Sequence, residues 1–508
     1  MSEERKIRSA LISVFYKDGL APLVKLLDRA GVNIYSTGGT FNFIESIGVE
    51  AKTVESLTDY PSILGGRVKT LHPKVFGGIL GRRQLASDLA DMEQYQIPPF
   101  DLVIVDLYPF GETLASGASH ENIIEKIDIG GISLIRAAAK NYNDVLVVPS
   151  SKHYNELEEI LTRNNCNTTL EERLRFAAYA FSESSAYDSA IFGYMGEKSG
   201  IKEFRQVAGR AKELRYGENP HQKGEFFGDL DKVFEQLHGK ELSYNNLLDL
   251  DAAVSLINEF NETTFAVIKH NNACGLASRP KVADAWKAAL AGDPVSSFGG
   301  VLVTNAIVDE EAAIEINQLF FEIILAPGYE KNALELLKSK KNRIILQAKS
   351  FDFQPKQFRS ALNGVLQQDR DLKTESTGDF RVVTRTSPDN SMQNDLVFAN
   401  IIVKHSKSNA IVLARDKQML GSGAGQTSRV DALRHAIEKA GAFGFDLKGA
   451  VMASDAFFPF ADSVEIAHKA GVVSVVQPGG SVRDEDTIDY CNKNGLSMVF
   501  TGIRHFKH

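Results

Sequence analysis

The sequence predicts an α/β protein of more than one domain, and three observations carry that expectation. From Ile7 to Pro149, strand-like and helix-like segments alternate. Two runs in that region, Leu102-Val103-Ile104-Val105 and Val145-Leu146-Val147-Val148, are apolar without interruption, the mark of parallel strands buried on both faces. Farther on, Val267-Ile268-Lys269-His270 has an echo in Ile402-Val403-Lys404-His405, which suggests two related halves. At 508 residues the chain is long enough for two to four domains with full cores.

In chain order, Ala10 to Val14 reads as a strand, Leu20 to Ala30 as a helix, and Val32 to Tyr35 as a strand. Ligands on such open sheets bind at the carboxyl ends of the strands. Glu171 to Ile191 is a long helical stretch with Leu174, Ala178 and Phe181 on one face. The charged, glycine-containing segment Glu197 to Glu203 marks a domain boundary, giving domains 1–198 and 199–508. A polar stretch from Gln367 to Ser391 reads as a surface connector dividing the second region.

Composition narrows the chemistry. With 43% hydrophobic and 24% charged residues, the chain is ordinary for a soluble globular protein. A net charge of −8 argues against a general nucleic-acid or membrane-surface binder. Three dispersed cysteines, Cys166, Cys274 and Cys491, imply no disulfide framework, and Cys274 reads as an inert core thiol. The N-terminus lacks a long apolar core segment and no run of about 18 apolar residues exists, so a cytoplasmic location is expected. There is no Walker A loop, no His-Glu-x-x-His and no paired Cys-x-x-Cys, so no catalytic metal is expected. Gly421 to Gln426 is glycine-rich but ends in Gln where a dinucleotide fingerprint wants Gly.

Several segments concentrate reactive groups. Lys269-His270-Asn271-Asn272-Ala273-Cys274-Gly275 follows the strand-like run Phe265 to Ile268. It presents a cation and an imidazole at a strand's end, with Asn-Asn-Ala-Cys-Gly read as a turn. Tyr35-Ser36-Thr37-Gly38-Gly39-Thr40 lies between a strand and a helix, where glycines and free N–H groups can cradle a phosphate. Gly65 to Pro73 is a second glycine turn, bearing Arg67, Lys69, Thr70 and His72. Asp128-Ile129-Gly130-Gly131 precedes Arg136 and Lys140, four apart on one helical face. Arg215 to Gln222 packs charged and hydrogen-bonding groups into a turn, and Ser408-Asn409 with Gly421 to Arg429 supplies an amide, glycines and a guanidinium. Ser454 to Asp462 surrounds aromatics with carboxylates, a wall suited to a flat heteroaromatic ligand.

Together, Gly65 to Pro73, Asp128 to Asn141, Arg215 to Gln222, Lys269 to Gly275 and Ser454 to Asp462 resemble, in order, a known bifunctional family. It is that of the purine biosynthesis proteins joining phosphoribosylaminoimidazolecarboxamide (AICAR) formyltransferase to inosine monophosphate (IMP) cyclohydrolase. The resemblance runs from about residue 8 to His508. It implies an N-terminal methylglyoxal-synthase-like parallel-sheet domain followed by two cytidine-deaminase-like α/β subdomains without zinc. It implies 10-formyltetrahydrofolate as cosubstrate, a homodimer, and nucleotides rather than nucleic acid or membrane as partners. A structural monovalent cation is compatible with it.

For formyl transfer the resemblance implies His270 as general base, Lys269 as oxyanion stabiliser and Asn409 as the group orienting the formyl oxygen. Arg215, Tyr216, Asn246, Gly299, Glu322, Arg429, Phe457 and Arg504 match the nucleotide-binding set, and Val430, Asp462 and Ser481 the folate-facing positions. For ring closure it implies Lys140 as acid/base, with Tyr108 and Asp128 polarising the amide. Lys17, Thr37, Gly38, Gly39, Thr40, Arg67, Lys69, Thr70, Asp106 and Ile129 would bind the nucleotide. Four positions depart from the family. Phe15-Tyr16 stands where many members have Ser-Asp, Asp106 where Asn is common, and Ala273 where Pro is frequent. Two rival readings are a non-catalytic regulatory first domain and a transformylase whose first domain has lost activity.

Overall fold

The computed structural model describes residues 4–351 and 353–508 and divides into two contact-dense units between Val207 and Ala208. In the first, β1 (Ser9–Ser13), α1 (Leu20–Arg29), β2 (Asn33–Ser36), α2 (Gly38–Ser46), β3 (Lys52–Thr53), β4 (Leu102–Val105), α3 (Gly130–Lys140), β5 (Leu146–Val148) and α4 (Leu170–Ser199) are the main elements. The five strands form a parallel sheet in the order β3-β2-β1-β4-β5. Its continuous apolar strands have the expected cause. Ala10, Ile12, Ile104 and Val148 enter one core, while Leu11, Val103, Val105 and Val147 enter another on the opposite face. The chain runs outward from β1 to β3 and then returns to β4, so the strand order reverses between β1 and β4. A ligand crevice is expected outside the carboxyl ends of those two strands.

One expectation here is corrected. Leu174, Ala178 and Phe181 do share a face of α4, but it is the exposed one. The buried face carries Phe176, Ala177, Ala180 and Ser184 instead. Arg136 of α3 covers the Phe181 ring at 5.6 Å, a guanidinium on an aromatic face at the surface.

The second unit contains β6 (Phe234–His238), α5 (Tyr244–Ile257), β7 (Thr264–Lys269), β8 (Asn272–Ser278), α6 (Val282–Gly292), β9 (Val301–Thr304), β10 (Ile323–Ala326) and β11 (Ile344–Ala348). After a connector come β12 (Arg381–Val382), α7 (Asn390–Lys404), β13 (Ile411–Arg415), β14 (Gln418–Gly423), α8 (Arg429–Ala442), β15 (Val451–Ser454), α9 (Asp462–Ala470), β16 (Ser474–Gln477) and β17 (Ser497–Phe500). They build one twelve-stranded sheet, ordered β6-β11-β10-β9-β7-β8-β14-β13-β15-β16-β17-β12. With the strands of each half numbered in chain order, that order reads the same from either end about the β8–β14 pair, outermost strands included. Helices α5 and α7 share a core on one face, and α6 and α8 each cover half of the other.

The repeat is therefore real, but the Lys-His echo misplaces it. Lys269 ends a strand, whereas Ile402 to Lys404 is the last turn of α7. The true counterpart of the His270-Asn271 turn is Asp416-Lys417, which joins β13 to β14. All four of these turn residues have left-handed backbones, with φ of 51°, 64°, 53° and 51°.

Two further expectations change. Asn272 to Gly275 is not turn but the start of β8, paired Lys269↔Asn272, so the turn is only His270-Asn271. Gly421 and Gly423 lie in β14 rather than in a glycine-rich loop. A Cβ on Gly423 would collide with the Ala432 carbonyl of α8, and one on Gly421 with that of Ala436. Gly275 stands in the same relation to Ala289 of α6. These glycines let a helix approach a strand closely in each half.

The connector is less superficial than its polarity implies. Glu375 is buried and, with Asp371, holds the equally buried His505 near the carboxyl terminus. Burial works to lower the His505 pKa, but the hydrogen bonds and charges of Asp371 and Glu375 outweigh it and raise the value to about 9. A raised imidazole stabilises the fold fully below its unfolded value near 6.5 and loses that contribution as pH rises through about 9. Thermal unfolding is expected to show a melting temperature that falls over this window, with the slope removed in His505→Gln. An unchanged slope in that variant would contradict the assignment.

Candidate functional sites

In the first unit, chemistry gathers at the reversal point between β1 and β4. Thr37 occupies the N-cap of α2 yet caps no helix N–H; its hydroxyl pairs with Ser13 at 2.8 Å. Thr40 Oγ donates to the Val14 carbonyl (2.8 Å) and accepts the Val14 N–H (3.1 Å). Both hydroxyls thus lock the loop after β1 against α2, leaving the N–H groups of Gly38 and Gly39 for an anion. Lys69 closes this cradle, its Nζ 3.4 Å from where a Cβ on Gly38 would lie.

The loop after β4 brings the acids. Asp106 accepts the backbone N–H groups of Phe15 and, at 3.0 Å, Tyr16. Lys17 turns back onto the carbonyls of Val14 and Phe15 (2.9 Å to the latter). The departures at 15, 16 and 106 are therefore one coupled feature. Asp128 accepts from Gly131 N–H at 2.7 Å and Tyr108 N–H at 3.4 Å, while its own N–H donates to the Tyr187 hydroxyl at 2.8 Å. Burial raises the Asp128 carboxyl above its ordinary range, opposed by those N–H groups and by the Lys69 charge. Burial likewise raises Asp106 and Tyr108 and lowers Lys17. Thr70 approaches Gly130 on the same side, and Phe15 and Tyr108 meet edge-to-face at 5.7 Å beneath the Lys126 ammonium.

Three expected residues stand apart from this cluster. Arg67 is exposed and paired with Glu125, and Ile129 is exposed at the N-cap of α3. Lys140 is exposed in the last turn of α3, about 15 Å along the axis from Gly130. Among the described residues, the cation whose charge acts on the Asp128 carboxyl is Lys69 rather than Lys140.

In the second unit, strand register places every expected residue along one edge of the large sheet, apart from the Arg215–Tyr216 pair. Lys269 ends β7, Gly299 precedes β9 and Glu322 precedes β10. Asn409 precedes β13, while Phe457, Ser481 and Arg504 follow the carboxyl ends of β15, β16 and β17. Arg429 and Val430 open α8, and Asp462 opens α9. The two sets touch where Asn272 Oδ1 accepts the Lys407 N–H at 2.9 Å.

Within the first set, Lys269 Nζ donates to the Phe298 carbonyl and lies 3.7 Å from the position of a Cβ on Gly299, whose φ is 71°. Asn246 donates to Glu322 at 3.0 Å. His270 is exposed at the turn. Arg215 stacks on the Tyr216 ring at 4.9 Å, and Asn245 ties the following loop to α5 through the Glu218 carbonyl (2.9 Å).

Within the second set, buried Arg429 donates to Asn409 Oδ1 (2.9 Å), Ser454 Oγ (2.9 Å) and Asp455. The Asn409 amide nitrogen donates to the carbonyls of Gln426 (3.0 Å) and Thr427 (3.2 Å), so the amide is fixed at both ends. Asp462 accepts the Ser463 N–H at 2.7 Å, Ser481 accepts from Arg483 N–H at 3.2 Å, and Arg504 stacks on Phe506 at 4.3 Å. Cys274 has its thiol pushed by burial up to about 11, consistent with an inert side chain.

Sequence reasoning missed Asp249, Asp455 and Ser408 as positioning groups. Asp455 lay inside a motif already singled out, and Asp249 lies one helical turn beyond Asn246.

A family model described as AICARFT/IMPCHase bienzyme matches residues 138–439, and one described as MGS-like domain matches residues 19–133. The bifunctional purine biosynthesis protein PurH of Bacteroides thetaiotaomicron is 62% identical over 100% of both chains. That of Aquifex aeolicus is 45% identical over 98% of this chain and 100% of its own. That of Rhodospirillum rubrum is 45% identical over 99% of each.

Proposed function

This chain belongs to the AICARFT/IMPCHase bienzyme family, and we propose that its second unit performs the formyl transfer and its first unit the ring closure. The enzyme is a bifunctional purine biosynthesis protein for the last two steps to IMP. The observation that carries the division is the separation of two reactive clusters, Lys69–Asp128–Tyr108 in one unit and Lys269–His270–Asn409 in the other.

In the transfer, the 5-amino group of AICAR attacks the formyl carbon of 10-formyltetrahydrofolate. That amine is a weak nucleophile because its lone pair is delocalised into the imidazole ring. His270, exposed at the turn, takes its proton as attack proceeds. Lys269, pinned by the Phe298 carbonyl, presents its remaining N–H groups to the tetrahedral oxyanion, and Asn409 orients the formyl oxygen. The intermediate collapses with loss of the folate nitrogen, which leaves protonated.

In the closure, the carboxamide nitrogen adds to the formyl carbon and water departs. The reaction is intramolecular, so holding the folded conformer lowers the barrier substantially. The α2 N-terminus with Lys69 binds the phosphate end, and Asp128, whose carboxyl burial raises above its ordinary range, accepts the carboxamide proton. Tyr108 lies beside it as a hydroxyl donor.

A two-fold homodimer is the proposed assembly, with sedimentation as its check. Incubating the purified protein with AICAR and 10-formyltetrahydrofolate should yield IMP. Formylated product without IMP would show that the first unit is inactive, and neither product would overturn the reading.

A further inference from the structure

The geometry assigns Asp249 as a positioning residue for the transferase base: its carboxylate holds the His270-Asn271 turn in the conformation that presents His270. This rests on the proposed role of His270. Asp249 is on α5, one turn after Asn246, and its Oδ1 accepts the Asn271 N–H at 2.7 Å. His270 and Asn271 both have positive φ, a conformation that non-glycine residues adopt at a cost and keep only when their surroundings enforce it. A half-buried carboxylate accepting a backbone N–H is a charge-assisted, directional tether. It fixes the turn at the residue after the base, while the β7–β8 pairing fixes it at Lys269.

The other half of the unit supplies an internal control. Asp395 of α7 accepts the Asp416 N–H at 2.8 Å and the Lys417 N–H at 2.7 Å, clamping the equivalent left-handed turn. Asp249 and Asp395 are separated by the same spacing as Asn271 and Lys417, or Gly275 and Gly421. The two aspartates are thus the same device, used once under His270 and once under a turn at the opposite sheet edge. That second turn's groups are engaged by side chains from outside the turn. Lys417 pairs with Glu262, and Arg279 donates to the carbonyls of Ser278 (2.7 Å) and Asp416 (2.8 Å). Burial raises both carboxyls above their ordinary range, Asp249 being half-buried and Asp395 buried.

The test compares Asp249→Ala, Asp249→Asn, Asp395→Ala and Asp395→Asn in the full-length enzyme. Formyl-transfer kcat and KM are measured together with hydrogen exchange at the 270–271 turn. Asp249→Ala should lower kcat about a hundredfold, the scale expected of a misplaced reacting group, and leave KM for AICAR within about threefold. Exchange at Asn271 should accelerate. Asp249→Asn retains an acceptor oxygen and should recover kcat to within about tenfold of wild type. The Asp395 variants should keep wild-type kcat per folded molecule. If the alanine variants fail to fold, the asparagine pair decides, with Asp249→Asn slower than Asp395→Asn. Equal kcat losses at both positions, or a wild-type kcat in Asp249→Ala, would overturn the positioning role. Accelerated exchange with unchanged kcat would likewise overturn it, whereas loss of formyl transfer in His270→Ala tests the role of the base separately.

Discussion

Lys269→Ala and His270→Ala are each expected to lower formyl transfer by about 10²–10⁴-fold while ring closure of pre-formylated substrate continues at the wild-type rate. The magnitude follows from removing a general base, or a charge aimed at a developing oxyanion, from a site with no adjacent substitute. The carboxylate packed against the turn, Asp249, is occupied by the Asn271 N–H. Cys274 is no replacement nucleophile, since its thiol is held up to about 11. Selectivity follows from the proposed division of the chain, because both substitutions lie in the second unit and the cluster proposed for ring closure lies in the first. Single-turnover assays starting separately from AICAR and from its formylated product check both halves of this expectation.

Lys69→Ala and Asp128→Asn should do the converse, with formylated intermediate accumulating and closure falling by about 10²–10³-fold. Lys69 lies against the α2 N-terminus and is close enough to Asp128 for its charge to oppose the rise in that carboxyl's pKa. Removing it takes away the cation that serves both phosphate and carboxylate. The sequence alone pointed to Lys140 for this chemistry, yet Lys140 ends α3 about 15 Å from Gly130. Comparing Lys69→Ala with Lys140→Ala therefore tests the placement. Accumulation in Lys140→Ala with normal closure in Lys69→Ala would return the role to Lys140.

How much of this was legible follows from the physics of each signal. Buried parallel strands announce themselves because both faces are apolar, and Leu102 to Val105 is a strand at the expected bounds. The turn at Thr37 to Thr40 was legible as a glycine turn between a strand and a helix, and its use for a phosphate is part of the proposal. The repeat was harder. Matching Lys269-His270 to Lys404-His405 compared identities of side chains whose backbones differ, one at a strand end and one in a helix. The positions that do repeat, Asp249 with Asp395 and Gly275 with Gly421, are fixed by backbone contacts, which a residue name does not announce. Gly421 and Gly423 misled for the same reason, because the carbonyl they make room for belongs to a helix still to come in the chain. The tether of Lys269 is a carbonyl, Phe298, and no sequence pattern marks a carbonyl as special.

The central claim is that two independent sites in two units perform successive steps. Mixing full-length His270→Ala protein with full-length Lys69→Ala protein tests it most directly, with AICAR and 10-formyltetrahydrofolate supplied and IMP measured over time. Each variant alone should form almost no IMP, the first leaving AICAR unreacted and the second stopping at the formylated intermediate. The mixture should form IMP after a lag, as intermediate released by one protein is closed by the other. A mixture that stays as inactive as its components, while the Lys69→Ala protein alone still releases the intermediate, would contradict the division.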